Sequence, residues 1–155
     1  DASIPDFLKR FEQFPAVEIN WLVYGSGGNK TKSSEPVMKR FRFHSQPDHY
    51  LNRHVKSIVN PRMVYTMIGC HEVARIKGKA ADSHGNPITR NFRQRTPQQD
   101  IIRINHYAVR SLEEFREKQM RGRASGTQTS VPMEYFNQYD LNDIEEPAPN
   151  ISKNI

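Results

Sequence analysis

The sequence predicts an α/β chain of short mixed strands, two main helices and long loops. Three observations carry this. Val17, Ile19, Trp21 and Val23 alternate with more polar neighbours, which is the period of a strand. Ile4, Phe7, Leu8, Phe11 and Phe14 recur at helical spacing behind a serine. Between such runs the chain is polar and rich in turn formers, above all over 77–99, where Gly85-Asn86-Pro87 is the clearest turn.

Each element follows from local signals. Ser3 can cap a helix over 3–14, with Asp6 at capping-box spacing, and Pro15 stops it. Residues 16–24 form the first strand, and Gly25-Ser26-Gly27-Gly28-Asn29-Lys30 opens a loop that stays polar to Pro36. Residues 37–43 read two ways, since Phe41 and Phe43 alternate while Val37, Met38 and Phe41 fit a short helix. Residues 54–59 and 63–71 read as two further short strands, separated by Asn60-Pro61, and 100–107 as another with Ile101, Ile102 and Ile104. Ser111 opens the strongest helix. Ser111 and Glu114 make a capping box, Leu112, Phe115 and Met120 supply an apolar face, and Gly122 ends the helix. Glu114/Lys118 and Glu117/Arg121 are spaced for i,i+4 ion pairs. Residues 135–143 read as a short docking helix or loop, and 146–155 as a flexible tail after a domain, or part of one, over 1–145.

Composition narrows the classes. Hydrophobic residues make up 35%, which allows a small core. The net charge of +6, from 23 basic and 17 acidic residues, should attract an anion such as nucleic acid, an anionic membrane surface or a sugar-nucleotide phosphate. The single Cys70 excludes an intramolecular disulfide and any cysteine-rich metal cluster, and its apolar surroundings predict a buried thiol. No apolar stretch approaches the roughly 20 residues of a membrane span, and no signal peptide opens the chain. The start at Asp1, without methionine, leads us to expect residues upstream.

The stretch from Ile104 to Arg123 concentrates the chemistry. A strand ending on His106 turns directly into a capped, basic helix, so an imidazole, several cations and a helix N-terminus come together. That grouping suits a metal-bound diphosphate. Imidazole at a rigid strand end is a competent ligand for a divalent metal, and a structural histidine near a helix cap is the alternative. Arg110, Lys118, Arg121 and Arg123 match phosphate oxygens, unless they form a solvated face paired with Glu114 and Glu117. Gly27 and Gly28 leave room for close approach of a sugar, although most glycine-rich turns are only turns. The loop lacks the spacing of a P-loop. Trp21 can stack on a sugar ring or pack in the core. Lys56 and His71 are secondary candidates for ligand contacts. Glu35, Glu72 and Asp100 are open as proton acceptors, and spacing selects none of them.

Several words, in order, resemble glycosyltransferases of family 92 and related family 2 type, which have a GT-A (Rossmann-like) fold. They are Ile19-Asn20-Trp21-Leu22-Val23-Tyr24-Gly25-Ser26-Gly27-Gly28, His54-Val55-Lys56-Ser57-Ile58-Val59-Asn60-Pro61, Ile104-Asn105-His106-Tyr107, Ser111-Leu112-Glu113-Glu114-Phe115, Arg121-Gly122-Arg123-Ala124 and Tyr139-Asp140-Leu141-Asn142-Asp143. The resemblance runs from about residue 3 to about residue 145. It implies metal-dependent transfer of a sugar from a nucleotide-diphosphate sugar donor to a saccharide or glycoconjugate hydroxyl. It also implies Mn²⁺ or Mg²⁺ held by an Asp-x-Asp and a late histidine, here His106. No Asp-x-Asp occurs in the 155 residues. The chain therefore looks like the C-terminal, acceptor-side half of the catalytic domain. The missing N-terminal half is its expected partner, and alone the chain should be inactive. On this reading Arg110, Lys118, Arg121 and Lys56 bind the diphosphate, while Trp21, Gly27, Gly28 and His71 line the acceptor side. Relatives often act near membranes, and both a cytoplasmic and a membrane-associated setting fit the chain.

Two other classes compete. A basic nucleic-acid-binding module would use the cations over 110–123 with Tyr107 and Phe115. Phe115 belongs to the apolar helix face, however, and none of the usual motifs occurs, so no nucleic-acid partner is expected. A non-catalytic carbohydrate-binding fragment would bind sugar without metal.

Overall fold

The computed structural model describes residues 3–122 and 131–148. The protein is mixed α/β, with small sheets and few helices. It comprises two compact units, one of residues up to 22 with 47–104, the other of 23–46 with residues from 105 onward.

In the first unit, α1 (Ile4–Leu8) starts where expected, with Ser3 Oγ accepting the Asp6 N–H at 3.3 Å. It is shorter than its apolar spacing suggested. From Lys9 the chain tightens into a 3₁₀ turn, and the Phe14 N–H donates to the Phe11 carbonyl. Pro15 ends the helical stretch, because it drives the residue before it out of the helical region. Phe11 is nonetheless buried against Val17 and Ile19, with Phe7 and Phe14 packed around them.

β1 (Ala16–Val23) pairs antiparallel with β3 (Val55–Val59), from Ala16↔Val59 to Asn20↔Val55. Its sheet has the order β3-β1-β6, with β6 spanning Ile104–His106. All eight residues of β1 are buried, the polar ones included. Such burial needs partners. Glu18 pairs with Arg95, and the Asn20 amide donates to the Asn52 and Arg53 carbonyls while its Oδ1 accepts the Gln98 N–H. The polar stretch before residue 100 therefore supplies the partners that let the polar face of β1 be buried. The strand expected over 100–107 is reduced to three residues, Ile104–His106. Gln98 and Gln99 reach β1 through single bonds, Gln99 by its side chain onto the Trp21 carbonyl, and Ile101 is exposed.

The apolar run over 63–71 is one strand and a turn. β4 (Val64–Ile68) folds back at Gly69, whose φ of +66° favours glycine, onto β5 (Glu72–Arg75). Cys70 sits in that turn and is exposed, which corrects the expected buried thiol. Apolar neighbours in sequence do not bury a residue that the chain places at a hairpin turn.

In the second unit, both readings of 37–43 hold in sequence: α2 (Val37–Arg40) comes first, then β2 (Phe43–His44). β2 pairs antiparallel with β7 (Ile144–Glu145). Glu146 is held as well, its N–H donating to the Arg42 carbonyl and its carboxylate accepting from the Tyr24 hydroxyl. The tail expected from 146 is thus fixed at its first residue, and 149–155 lie outside the described residues.

α3 (Leu112–Arg121) carries the expected capping box and ends at Gly122, with φ +74°. Phe115 is fully buried and meets Phe136 of α4 (Met133–Tyr139) edge-on at 5.1 Å between centroids. The expected i,i+4 pairs give way to partners distant in sequence. Glu114 pairs with Arg40, Glu117 with Lys32, and Lys118 donates to the Ala108 carbonyl. Arg40 and Glu114 side chains are 7% and 9% exposed, a burial that an exposed helix-face pair never has.

Candidate functional site

The turn from β6 into α3 holds the most unusual backbone among the described residues. Arg110 has φ +59°, the one non-glycine residue with positive φ among the described residues. That conformation costs roughly 1–2 kcal/mol for an L-residue. It persists because both neighbours are anchored: Val109 is buried, and Ser111 is buried within the capping box. The Arg110 side chain is half-exposed and lies 3.8 Å from Glu114.

Arg110 borders a polar cleft of about 430 Å³. Lys32, Lys118 and Arg121 border it too, against the carboxylates Glu114 and Glu117. Three of the four diphosphate candidates therefore meet at one place. Lys56 does not join them. It belongs to the first unit, where its Nζ donates to the Cys70 carbonyl at 2.7 Å and lies 5.9 Å over the Trp21 ring. Arg123 lies outside the described residues.

The charges around this cleft are not equivalent. Burial pushes Glu114 up, but hydrogen bonds from Arg40 and Ser111 more than offset it and hold the carboxyl below its ordinary range. Lys32 donates to Glu117 at 2.9 Å, which raises the ammonium. Lys118 donates to the Ala108 carbonyl at 2.8 Å and lies 4.9 Å over the Tyr135 ring. Arg110 and the exposed Arg121 are left as the cations least committed to other groups.

The helix N-terminus does not add free amides. The Leu112 and Glu113 N–H groups donate to the Asn29 and Lys30 carbonyls, and the Glu114 N–H donates to Ser111 Oγ. The expected anion site there is corrected on that ground, because the glycine-rich loop and the Ser111 cap already occupy those donors. The other end of the loop is equally engaged. Ser26 N–H donates to Asp140 Oδ1 at 2.6 Å and Gly27 N–H to Asn142 Oδ1 at 2.7 Å. Gly28 N–H donates to Ser26 Oγ at 3.0 Å, and a Cβ on Gly28 would meet nothing within 4 Å. Gly27 and Gly28 thus shape a loop clamped between the 140–142 segment and α3.

His106 is half-buried at the end of β6, with its ring 6.2 Å from that of Tyr139 and its carbonyl accepting the Tyr24 N–H. Among the described residues, no group of three or more His, Cys, Asp or Glu side chains is placed to hold a metal ion. A divalent cation needs several donors. The residues described here do not complete a site for Mn²⁺ or Mg²⁺, and His106 offers one ligand.

Trp21 and His71 meet in the first unit. Trp21 is 6% exposed, stacked on His54 at 4.9 Å and tilted against His71 at 5.4 Å, with Phe92 closing the group. The buried indole is a packing residue in this arrangement. The His71 and His54 Nδ1–H groups donate to the Val55 and Leu51 carbonyls, which fixes the orientation of both rings. Burial lowers His54, and the neighbouring His71, Arg93 and Lys56 add to this. Of the three carboxylates left open, Asp100 contacts His84 at 2.9 Å, Glu35 is exposed and Glu72 is half-buried in β5.

Sequence reasoning missed Arg40, Lys32 and His54. Arg40 and Lys32 have no local signal, since their carboxylate partners lie 74 and 85 positions away. His54 stood within the His54-Val55-Lys56-Ser57 word, but only its pairing with His71 gives it a role. Comparison with family models, with curated proteins and with solved structures gives no match.

Proposed function

We propose that this chain is the acceptor-side part of a GT-A-like glycosyltransferase domain, with the Arg110 cleft serving the donor diphosphate. The observation that carries the reading is Arg110 itself, a strained residue at a strand-to-helix turn bordering a cation-rich cleft. Backbone strain of this kind collects at functional sites. The ordered family-like words through 19–28, 54–61, 104–107 and 111–115 support the same reading.

Arg110 and Arg121 would grip the diphosphate and balance the negative charge that grows on it as the sugar departs. Lys118 and Glu114 act differently. They fix the turn and the helix start from which Arg110 projects. His106 would give one ligand to the metal, whose carboxylate ligands come from outside these 155 residues. No proton acceptor is assigned.

The test is the coding sequence immediately upstream of residue 1. A nucleotide-binding α/β segment ending in Asp-x-Asp is expected, and His106→Ala in the joined protein should abolish metal-dependent transfer. An unrelated domain, or a start codon directly before residue 1, would overturn the proposal.

A further inference from the structure

The β4–β5 hairpin has an apolar surface that the proposed transfer chemistry leaves unused. Tyr65 is 74% exposed, Met67 51%, Ile68 58% and the nearby Ile76 49%. These are four of the nine large apolar side chains exposed among the described residues, gathered within twelve positions. β5 is fastened inward: Val73 is buried, and the preceding His71 exchanges hydrogen bonds with Val55 and Ser57 of β3. β4 lies outside it, paired on one side only among the described residues.

Both faces of β4 are apolar. Met67 stands opposite Val73 and Ile68 opposite Glu72, so the two point to opposite sides of the ribbon. The cations sit at the other end. Arg62 precedes β4, Arg75 faces Val64, and Lys77 and Lys79 follow β5, all four exposed. Against them stands a single carboxylate between 62 and 79, the half-buried Glu72.

We infer that the β4–β5 hairpin docks the protein on an anionic lipid surface, with Tyr65, Met67 and Ile68 seated among the headgroups and Arg62, Arg75, Lys77 and Lys79 on their phosphates. An aromatic and two apolar side chains on one hairpin, with clustered cations at its base, is the combination that partitions to charged interfaces. Strand addition by another protein is the competing use of an exposed edge. The bulge between Val64 and Thr66 argues against it, because it leaves three regular residues for a partner strand. The inference is independent of the glycosyltransferase reading.

The turn supplies its own reporter, since Cys70 is the one cysteine of the chain and is exposed. The chain is labelled there with a polarity-sensitive fluorophore and titrated with phosphatidylcholine vesicles containing about 30% phosphatidylserine, then with pure phosphatidylcholine. A blue shift and co-sedimentation are expected with the anionic vesicles only, weakening as salt is raised. Met67→Asp with Ile68→Asp should abolish both signals. Lys77→Ala with Lys79→Ala should weaken binding about 25-fold, at roughly fivefold per cation near such a surface. Circular dichroism of each variant verifies that the fold is kept. Three results would each overturn the inference. One is binding that the Met67/Ile68 variant retains, and another is sedimentation without a shift at Cys70. The third is no vesicle binding, whether the hairpin instead mediates a dimer or takes up a generic oligonucleotide.

Discussion

Replacing Glu114 by glutamine is the sharpest test of how the second unit is held. The substitution keeps the shape and one acceptor oxygen but removes the charge that Arg40 was buried to meet. Arg40 reaches Glu114 through both terminal nitrogens, and the two side chains are 7% and 9% exposed. The same carboxylate accepts from Ser111 Oγ at 2.6 Å and from the Ser111 N–H at 3.3 Å. Removing one partner of a buried pair typically costs about 3–5 kcal/mol. Losing the reciprocal half of the cap adds up to roughly 1 kcal/mol, and the two do not simply add. We expect a loss of about 3–4 kcal/mol, read as a urea midpoint lower by about 2 M if the slope is near 2 kcal/mol/M. Arg40→Met with Glu114→Gln should recover part of it, since no buried charge is then stranded. The pH dependence has a definite sign. Glu114 is held below its ordinary value, so its contribution is complete above the unfolded value near 4.5 and is lost as pH falls through the folded one. The gap between wild type and Glu114→Gln should close in acid. A loss under about 1 kcal/mol, or a gap independent of pH, would show that the Arg40–Glu114 pair does not hold this unit together.

Three further outcomes follow from the same geometry. Arg110→Gly relieves the positive φ and should raise stability by about 1 kcal/mol in urea unfolding while weakening anion binding, a split that a purely structural residue would not show. Gly25→Ala places a Cβ into the Leu141 carbonyl and Asn142 Oδ1, so the unit should lose about 2 kcal/mol or more by thermal melting. Burial raises Glu18 and Arg95 pulls it down, so Arg95→Met should push the carboxyl further up. Leaving the buried Glu18 without that partner should cost about 3 kcal/mol near neutral pH, a loss that shrinks as pH falls and Glu18 protonates.

Elements set by near neighbours are legible in the sequence, and those set by distant partners are not. Ser111 with Glu114 announced the capping box, Val17 to Val23 the central strand and Gly122 the helix end, because each depends on neighbours within a few residues. The alternation of β1 suggested one wet face, yet Glu18 and Asn20 are buried by partners some 77 and 78 positions later. Spacing also assigned Glu114 to Lys118 and Glu117 to Arg121. Lys32 and Arg40 win instead, since a helix-surface pair contributes only about 0.2–0.5 kcal/mol and yields readily to tertiary partners. The cleft was legible as a list of cations on one stretch of chain. Which of them it keeps least committed was not, because that depends on carbonyls and rings that no spacing names.

The role of the Arg110 cleft is tested most directly by a calorimetric titration of pyrophosphate into the chain, with Mn²⁺ absent and present. Weak, saturable binding is expected, and Arg110→Ala and Arg121→Ala should each weaken it about tenfold, as loss of one charge-assisted phosphate contact implies. Lys56→Ala, in the other unit, should leave it unchanged. Binding indifferent to Arg110, or none at all, would contradict the assignment of this cleft to a diphosphate.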